Sequence, residues 1–136
     1  MNNILFSGYA ALWGRVDDRN TTLSPRAFAL HNQPNIKIPL LYHHWRHEIL
    51  GEVLKLEETN QGLWMEGVIY SHFPKSQGVI DMIKEGLLTG LSVGYKADLT
   101  IKKRQSLTIK RASLYEISVV TFPAQANTRI EQWRLA

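Results

Sequence analysis

The chain has 136 residues, 44% of them hydrophobic and 21% charged, with a formal net charge of +4 and no cysteine. These proportions predict one compact domain over residues 1–136 and exclude a disordered chain. The missing cysteines exclude disulfides, thiolate metal sites and a cysteine nucleophile, and no apolar run is long enough to span a bilayer.

Met1 to Leu5 lack the basic flank and long apolar stretch of a signal peptide. Ile4 to Leu12 reads as a strand, and Asp17 to Thr22 as a polar turn. Ser24-Pro25 reads as an N-cap with proline at the first helical position, opening a short helix through Phe28 and Leu30. Ile36 to Tyr42 is the next strand, apolar at every even position. Ile49 to Glu57 and Leu63 to Tyr70 form a hairpin across Thr59-Asn60-Gln61-Gly62. Both of its strands are apolar on both faces, as in a sheet covered twice or curled into a barrel. Pro74 to Glu85 is the strongest helix, with Val79, Ile80, Ile83 and Leu87 on one face and Gly86 as its stop. Leu91–Leu99, Leu107–Arg111 and Ser113–Phe122 read as three strands, and Ala126, Ile130 and Trp133 as one face of a C-terminal helix. The expected class is α+β: a mostly antiparallel β-barrel core with a few surrounding helices.

Three segments carry chemistry. In Gly90-Leu91-Ser92-Val93-Gly94, extended backbone puts Ser92 on one face between two glycines. Such glycines mark close approach by a ligand or another backbone, here read as room for a substrate main chain beside an exposed hydroxyl. A bulge or a crowded packing site with an incidental serine is the better reading when the segment is taken alone. The pattern also matches G-x-S-x-G, the nucleophile elbow. That reading fails because the elbow needs a helix after the serine and a later histidine. Here a strand continues, and all five histidines (His31, His43, His44, His47, His72) come earlier.

A serine nucleophile needs a base, and imidazole has the right pKa. Leu40 to His47 holds three histidines. His44 closes the apolar even face of its strand, His43 lies on the opposite face and His47 falls in the turn beyond. A core histidine is the plain alternative; a metal cluster is disfavoured by the spacing and the lack of cysteine, so no metal or cofactor is expected. In Leu114 to Pro123, Glu116 is the only charge in an apolar strand. A buried carboxylate needs a donor. An imidazole N–H would make it the orienting member of a triad, and an ion pair with Arg111 or Arg129 is the structural alternative. The basic stretch from Lys102-Lys103-Arg104 to Lys110-Arg111 reads as a solvated hairpin.

Together these segments resemble the caudovirus prohead protease family, in the family's order and over almost the whole chain. Phe6–Leu12 is similar to its opening strand, and Leu23–Phe28 to its P-G-A-F element, with Arg26 where the family usually has glycine and Thr21 where it often has aspartate. Pro39–His44 followed by Ile49–Val53 resembles the histidine motif, Gly86–Tyr95 the serine motif, and Leu114–Ala124 the closing E-[VI]-S-x-V-x-x-P-A strand. The resemblance implies a fold related to the herpesvirus maturation protease, with Ser92, His44 and Glu116 as catalytic residues and His43 as the competing base. It implies capsid and scaffold proteins as substrates, self-cleavage, a homo-oligomer such as a dimer, and action inside the prohead in the cytoplasm of a bacterial host. Backbone N–H groups near Val93 and Gly94 are the oxyanion-hole candidates, and Gly90 and Gly94 the substrate-approach positions. Membrane association is not expected. Two other classes compete: a catalytically silent assembly factor with the same fold, and a basic β-barrel binding nucleic acid through Lys102–Arg104.

Overall fold

Alternation of buried and half-buried positions along Ile4–Leu12 makes that segment strand β1, as its sequence predicts. The computed structural model describes residues 2–136; Met1, the first residue of the expected domain and N-terminal stretch, lies outside the described residues. Then follow β2 (Thr21–Leu23), a 3-10 turn (Leu30–Asn32), β3 (Pro39–Tyr42), β4 (Trp45–Glu58), β5 (Gly62–Ile69), helix α1 (Ser76–Lys84), β6 (Gly90–Lys103), β7 (Ser106–Val120) and β8 (Ile130–Leu135). Among the described residues, no helix is long and apolar enough to cross a membrane.

The strands form one sheet in the order β2-β7-β3-β4-β5-β1-β8, with β6 also paired to β7. Since β6 runs along nearly all of β7, both β2 and β3 lie on the opposite edge of β7, each parallel to it. The other pairings are antiparallel. The inner face encloses a core that includes Ile4, Leu40, Leu50, Met65, Leu91 and Ile117, all fully buried. The mostly antiparallel character with little helix agrees with expectation, but the sheet does not close into a barrel by continuous ladders. Between β6 and β8 there is one isolated bridge, Gly90 to Arg129. It is flanked by Leu91 N–H to Thr128 O at 3.0 Å and Ile130 N–H to Thr89 O at 2.8 Å.

Two expected helices are absent. The segment from Ser24 turns instead of coiling, because Arg26 (φ 58°) and Ala29 (φ 48°) adopt left-handed backbone. Those turns bury both Ala27 and Phe28 and aim the Phe28 and Leu30 N–H groups at the Glu58 carboxylate, at 3.1 and 2.8 Å. The C-terminal segment becomes β8 because the outer edge of β1 has unpaired backbone groups that a strand satisfies and a helix does not. The three predicted strands after Leu91 are two long ones, with register shifts absorbing the breaks in pattern. Helix α1 buries Val79, Ile80 and Ile83 as expected. The left-handed Gly86 (φ 74°) then swings Leu87 outward and Leu88 into the core.

Arg26 thus holds, in an exposed arginine, a backbone conformation that suits glycine. Left-handed backbone costs a non-glycine residue about 1–2 kcal/mol, against about 0.5–1 kcal/mol of chain entropy that glycine loses on folding. Arg26→Gly is therefore expected to raise the unfolding free energy by about 0.5–1 kcal/mol in urea denaturation. A lower midpoint at unchanged slope would mean that the arginine side chain makes a stabilising contact.

Candidate active site

In the β6–β7 ladder, Gly90 faces Val120, Ser92 faces Ser118 and Gly94 faces Glu116. Strand alternation puts these six positions on one face. Leu91, Val93, Ile117 and Val119 lie on the other, packed into or against the core. The core thereby fixes which way Ser92 and Glu116 point.

Strand β3 runs along the opposite edge of β7, with Leu41 opposite Ser118 and Tyr42 opposite Val119. Tyr42 pairs with Trp45 across the β3–β4 hairpin, which leaves His43 and His44 as a two-residue turn. Both have positive φ, 50° and 61°. Positive φ at both central positions is what a type I′ hairpin turn requires, and histidine is among the residues that tolerate it. The sequence places His44 at a strand end and His47 in the turn. Instead the strand stops at Tyr42, and His47 lies exposed in β4. The turn docks on β7: His43 N–H donates to Val119 O at 3.1 Å and His44 N–H to Ser118 Oγ at 2.9 Å.

The His44 ring reaches the two other residues singled out in the sequence. Its Nε2 lies 3.2 Å from Ser92 Oγ, and its Nδ1 lies 2.5 Å from Glu116 Oε2. With Glu116 ionised, Nδ1 carries a proton and donates it, which leaves the Nε2 lone pair facing the serine hydroxyl. Exposure falls inward along the chain of contacts: the His44 side chain is 42% exposed and that of Glu116 14%. Glu116 is paired with the imidazole, not with Arg111 or Arg129.

His43 turns away from this group. Its Nε2 lies 3.2 Å from Thr121 Oγ1, and its ring packs edge-on against Tyr42. Burial, then the neighbouring His44, lowers its pKa below the ordinary histidine value. Of the two adjacent histidines, His44 is the one brought to Ser92 and Glu116.

Sequence reasoning missed Ser118. It is fully buried and donates from Oγ to Glu116 Oε1 at 2.8 Å, while accepting the His44 main-chain N–H. One available signal was its spacing: two residues after Glu116 on one strand means the same face.

The glycines flanking Ser92 also need a correction. The sequence reads them as room for a substrate main chain. A Cβ on Gly94 would collide with the Glu116 carboxylate, and one on Gly90 would press on Val120 O and Pro123 Cδ. Protein groups already fill the space that these glycines free. Gly94 is what lets a carboxylate lie flat across β6 and reach His44.

The basic stretch occupies the exposed far end of the β6–β7 hairpin. No aromatic residue lies between positions 96 and 111 to provide a stacking surface for bases.

Comparison with solved structures places the fold. The chain superposes on the capsid assembly protease of bacteriophage T4 with a TM-score of 0.70 at 10% identity, covering 85% of this chain and 80% of that one. With the KSHV protease in complex with a hexapeptide phosphonate inhibitor the TM-score is 0.65 at 12% identity, covering 98% of this chain and 65% of that one. A Kaposi's sarcoma herpesvirus protease bound to an allosteric inhibitor gives 0.61 at 12% identity, covering 96% and 76%. The chain thus spans less than two thirds of the KSHV protease in its peptide-inhibitor complex. The fold is herpesvirus-protease-like. No curated protein matches the chain in sequence. The family comparison, in contrast, is matched over residues 1–135: the chain belongs to the caudovirus prohead serine protease family.

Proposed function

We propose that the chain is a serine endopeptidase that cleaves capsid and scaffold proteins inside the immature shell of a tailed virus, in the cytoplasm of its bacterial host. The observation that carries this reading is the single imidazole, His44, in contact with both Ser92 Oγ and Glu116. Membership in the prohead serine protease family supports the same chemistry.

The reaction follows from that geometry. Ser92 Oγ attacks the carbonyl carbon of the scissile bond as its proton passes to His44 Nε2. Glu116 stays ionised and holds Nδ1–H, which stabilises the imidazolium. The tetrahedral intermediate collapses with loss of the amine, which takes the proton from Nε2. Water then attacks the acyl-enzyme, again giving a proton to Nε2. The acid leaves, and Ser92 recovers its hydroxyl proton.

The developing oxyanion needs donors, and such donors are worth about 10²–10³ in rate. Leu91 N–H points out of the β6–β7 ladder to Thr128 O. By alternation, Val93 N–H also points out of that ladder while Gly94 N–H points into it. Val93 is therefore the better-placed donor of the two. Beside Ser92 and Val93 a cavity of about 40 Å³ opens against Gln125 and Thr128.

The test is to co-express the chain with the capsid and scaffold proteins of its own virus and map product termini by mass spectrometry. New termini are expected with the wild type and none with Ser92→Ala. Intact proteins in both samples, with the chain folded and bound to them, would replace this reading with a silent assembly factor. In the same assay His44→Ala should lose on the order of 10⁴-fold in kcat, while His43→Ala stays close to wild type. The reverse pattern would move the base by one position. Gly94→Ala should fold, yet lose on the order of 10²-fold in kcat, because its methyl group displaces the Glu116 carboxylate. Wild-type turnover by that variant would separate Glu116 from catalysis.

A further inference from the structure

We propose that Ser118 is a positioning residue that locks Glu116 and the backbone of His44 into one rigid unit, an inference that rests on the serine-peptidase reading. A hydroxyl has one proton to give and two lone pairs to accept with. Ser118 gives its proton to Glu116 Oε1 at 2.8 Å and accepts the His44 N–H at 2.9 Å. Glu116 Oε2 in turn meets His44 Nδ1. The three bonds form a closed circuit from the main chain of His44, through Ser118 and Glu116, back to its own ring.

The circuit has two mechanical consequences. The Glu116 carboxylate cannot turn about its last bond without losing a partner on each oxygen. The His43-His44 turn, held in left-handed backbone, cannot lift from β7 without breaking the Ser118 bond. The side chain that sets the imidazole and the backbone that carries it are thus fixed to the same atom, Ser118 Oγ. That atom belongs to the residue directly opposite Ser92 in the ladder. On its own face Ser118 has Ser92 across the β6–β7 ladder, Glu116 two residues away and the buried Leu41 across the β3–β7 ladder. Nothing in the core requires a hydroxyl there, whereas the Glu116 and His44 groups do.

The experiment uses the full chain as wild type, Ser118→Ala, Ser118→Cys and Glu116→Gln. The first readout is the downfield proton resonance of His44 Nδ1–H, which needs no substrate. It is expected to be sharp and protected in the wild type and to broaden or vanish in Ser118→Ala. The second is steady-state kinetics on the cleavage site mapped as above. Ser118→Ala should lower kcat by about 10²-fold with KM nearly unchanged, as for a catalytic group misplaced by about 1 Å. In the Glu116→Gln background the same substitution should cost little more, because both act through one circuit. Should Ser118→Ala fail to fold, Ser118→Cys, similar in size but a poor donor, carries both measurements. An unchanged resonance, an unchanged kcat, or losses that multiply in the double variant would overturn the proposal. A resonance lost in Ser118→Ala from a chain that cleaves nothing would uphold the positioning role and overturn the proposed function instead.

Discussion

The register of β6 on β7 governs the rest of the site. One set of pairings puts Ser92 opposite Ser118 and Gly94 opposite Glu116. A one-residue slip of β6 would turn Ser92 and Gly94 into the core and bring Leu91 out to solvent, and the same slip of β7 would do this to Glu116, Ser118 and Ile117. Those apolar residues are fully buried, so the hydrophobic effect on one face enforces alignment of the polar groups on the other. Each fully buried leucine or isoleucine contributes about 1.5–3 kcal/mol, which is ample to hold a register against slippage.

Within that register the expensive element is the Glu116 carboxylate. A half-buried charge must be compensated by hydrogen bonds. Glu116 takes one to each oxygen, from Ser118 and from His44. It reaches them because position 94 has no side chain in the way. A glycine on one strand and a glutamate on its neighbour are therefore one feature, not two. The carboxylate fills the gap, and the gap sets its direction toward His44.

His44 arrives from a different part of the chain by a different device. Strand β3 is only four residues long and reverses direction through two histidines in left-handed backbone. Such residues cost on the order of 1–3 kcal/mol each and persist only where their surroundings hold them. Here the holding contacts are the N–H groups of His43 and His44, donated to Val119 O and to the Ser118 hydroxyl oxygen at the end of β7. The strand that carries Glu116 thus also anchors the turn that carries the His44 imidazole.

The sequence by itself determined the chemical cast. Period-two alternation singled out Ser92 between glycines and Glu116 as the lone charge of an apolar strand, and the density of histidines marked His43 and His44. Local patterns carry that information because burial of one strand face is a local demand. What only the tertiary structure decided lies where two distant segments meet. His44 was separated from His43 by how a turn docks on β7, forty-eight residues in sequence from Ser92 and seventy-two from Glu116. Gly90 and Gly94 make room for protein groups, which no reading of β6 alone can tell. The segment after Ser24 looked helical from its Ser-Pro start, and the one around Ile130 from apolar spacing of four and three residues, but such a signal does not specify its partner. Left-handed backbone at Arg26 and the open edge of β1 overruled it. Ser118 had two signals, its parity with Glu116 and its place in the closing E-[VI]-S-x-V-x-x-P-A motif, and neither says what it bonds. Its meaning comes from a backbone N–H brought to it by a turn seventy-four residues away.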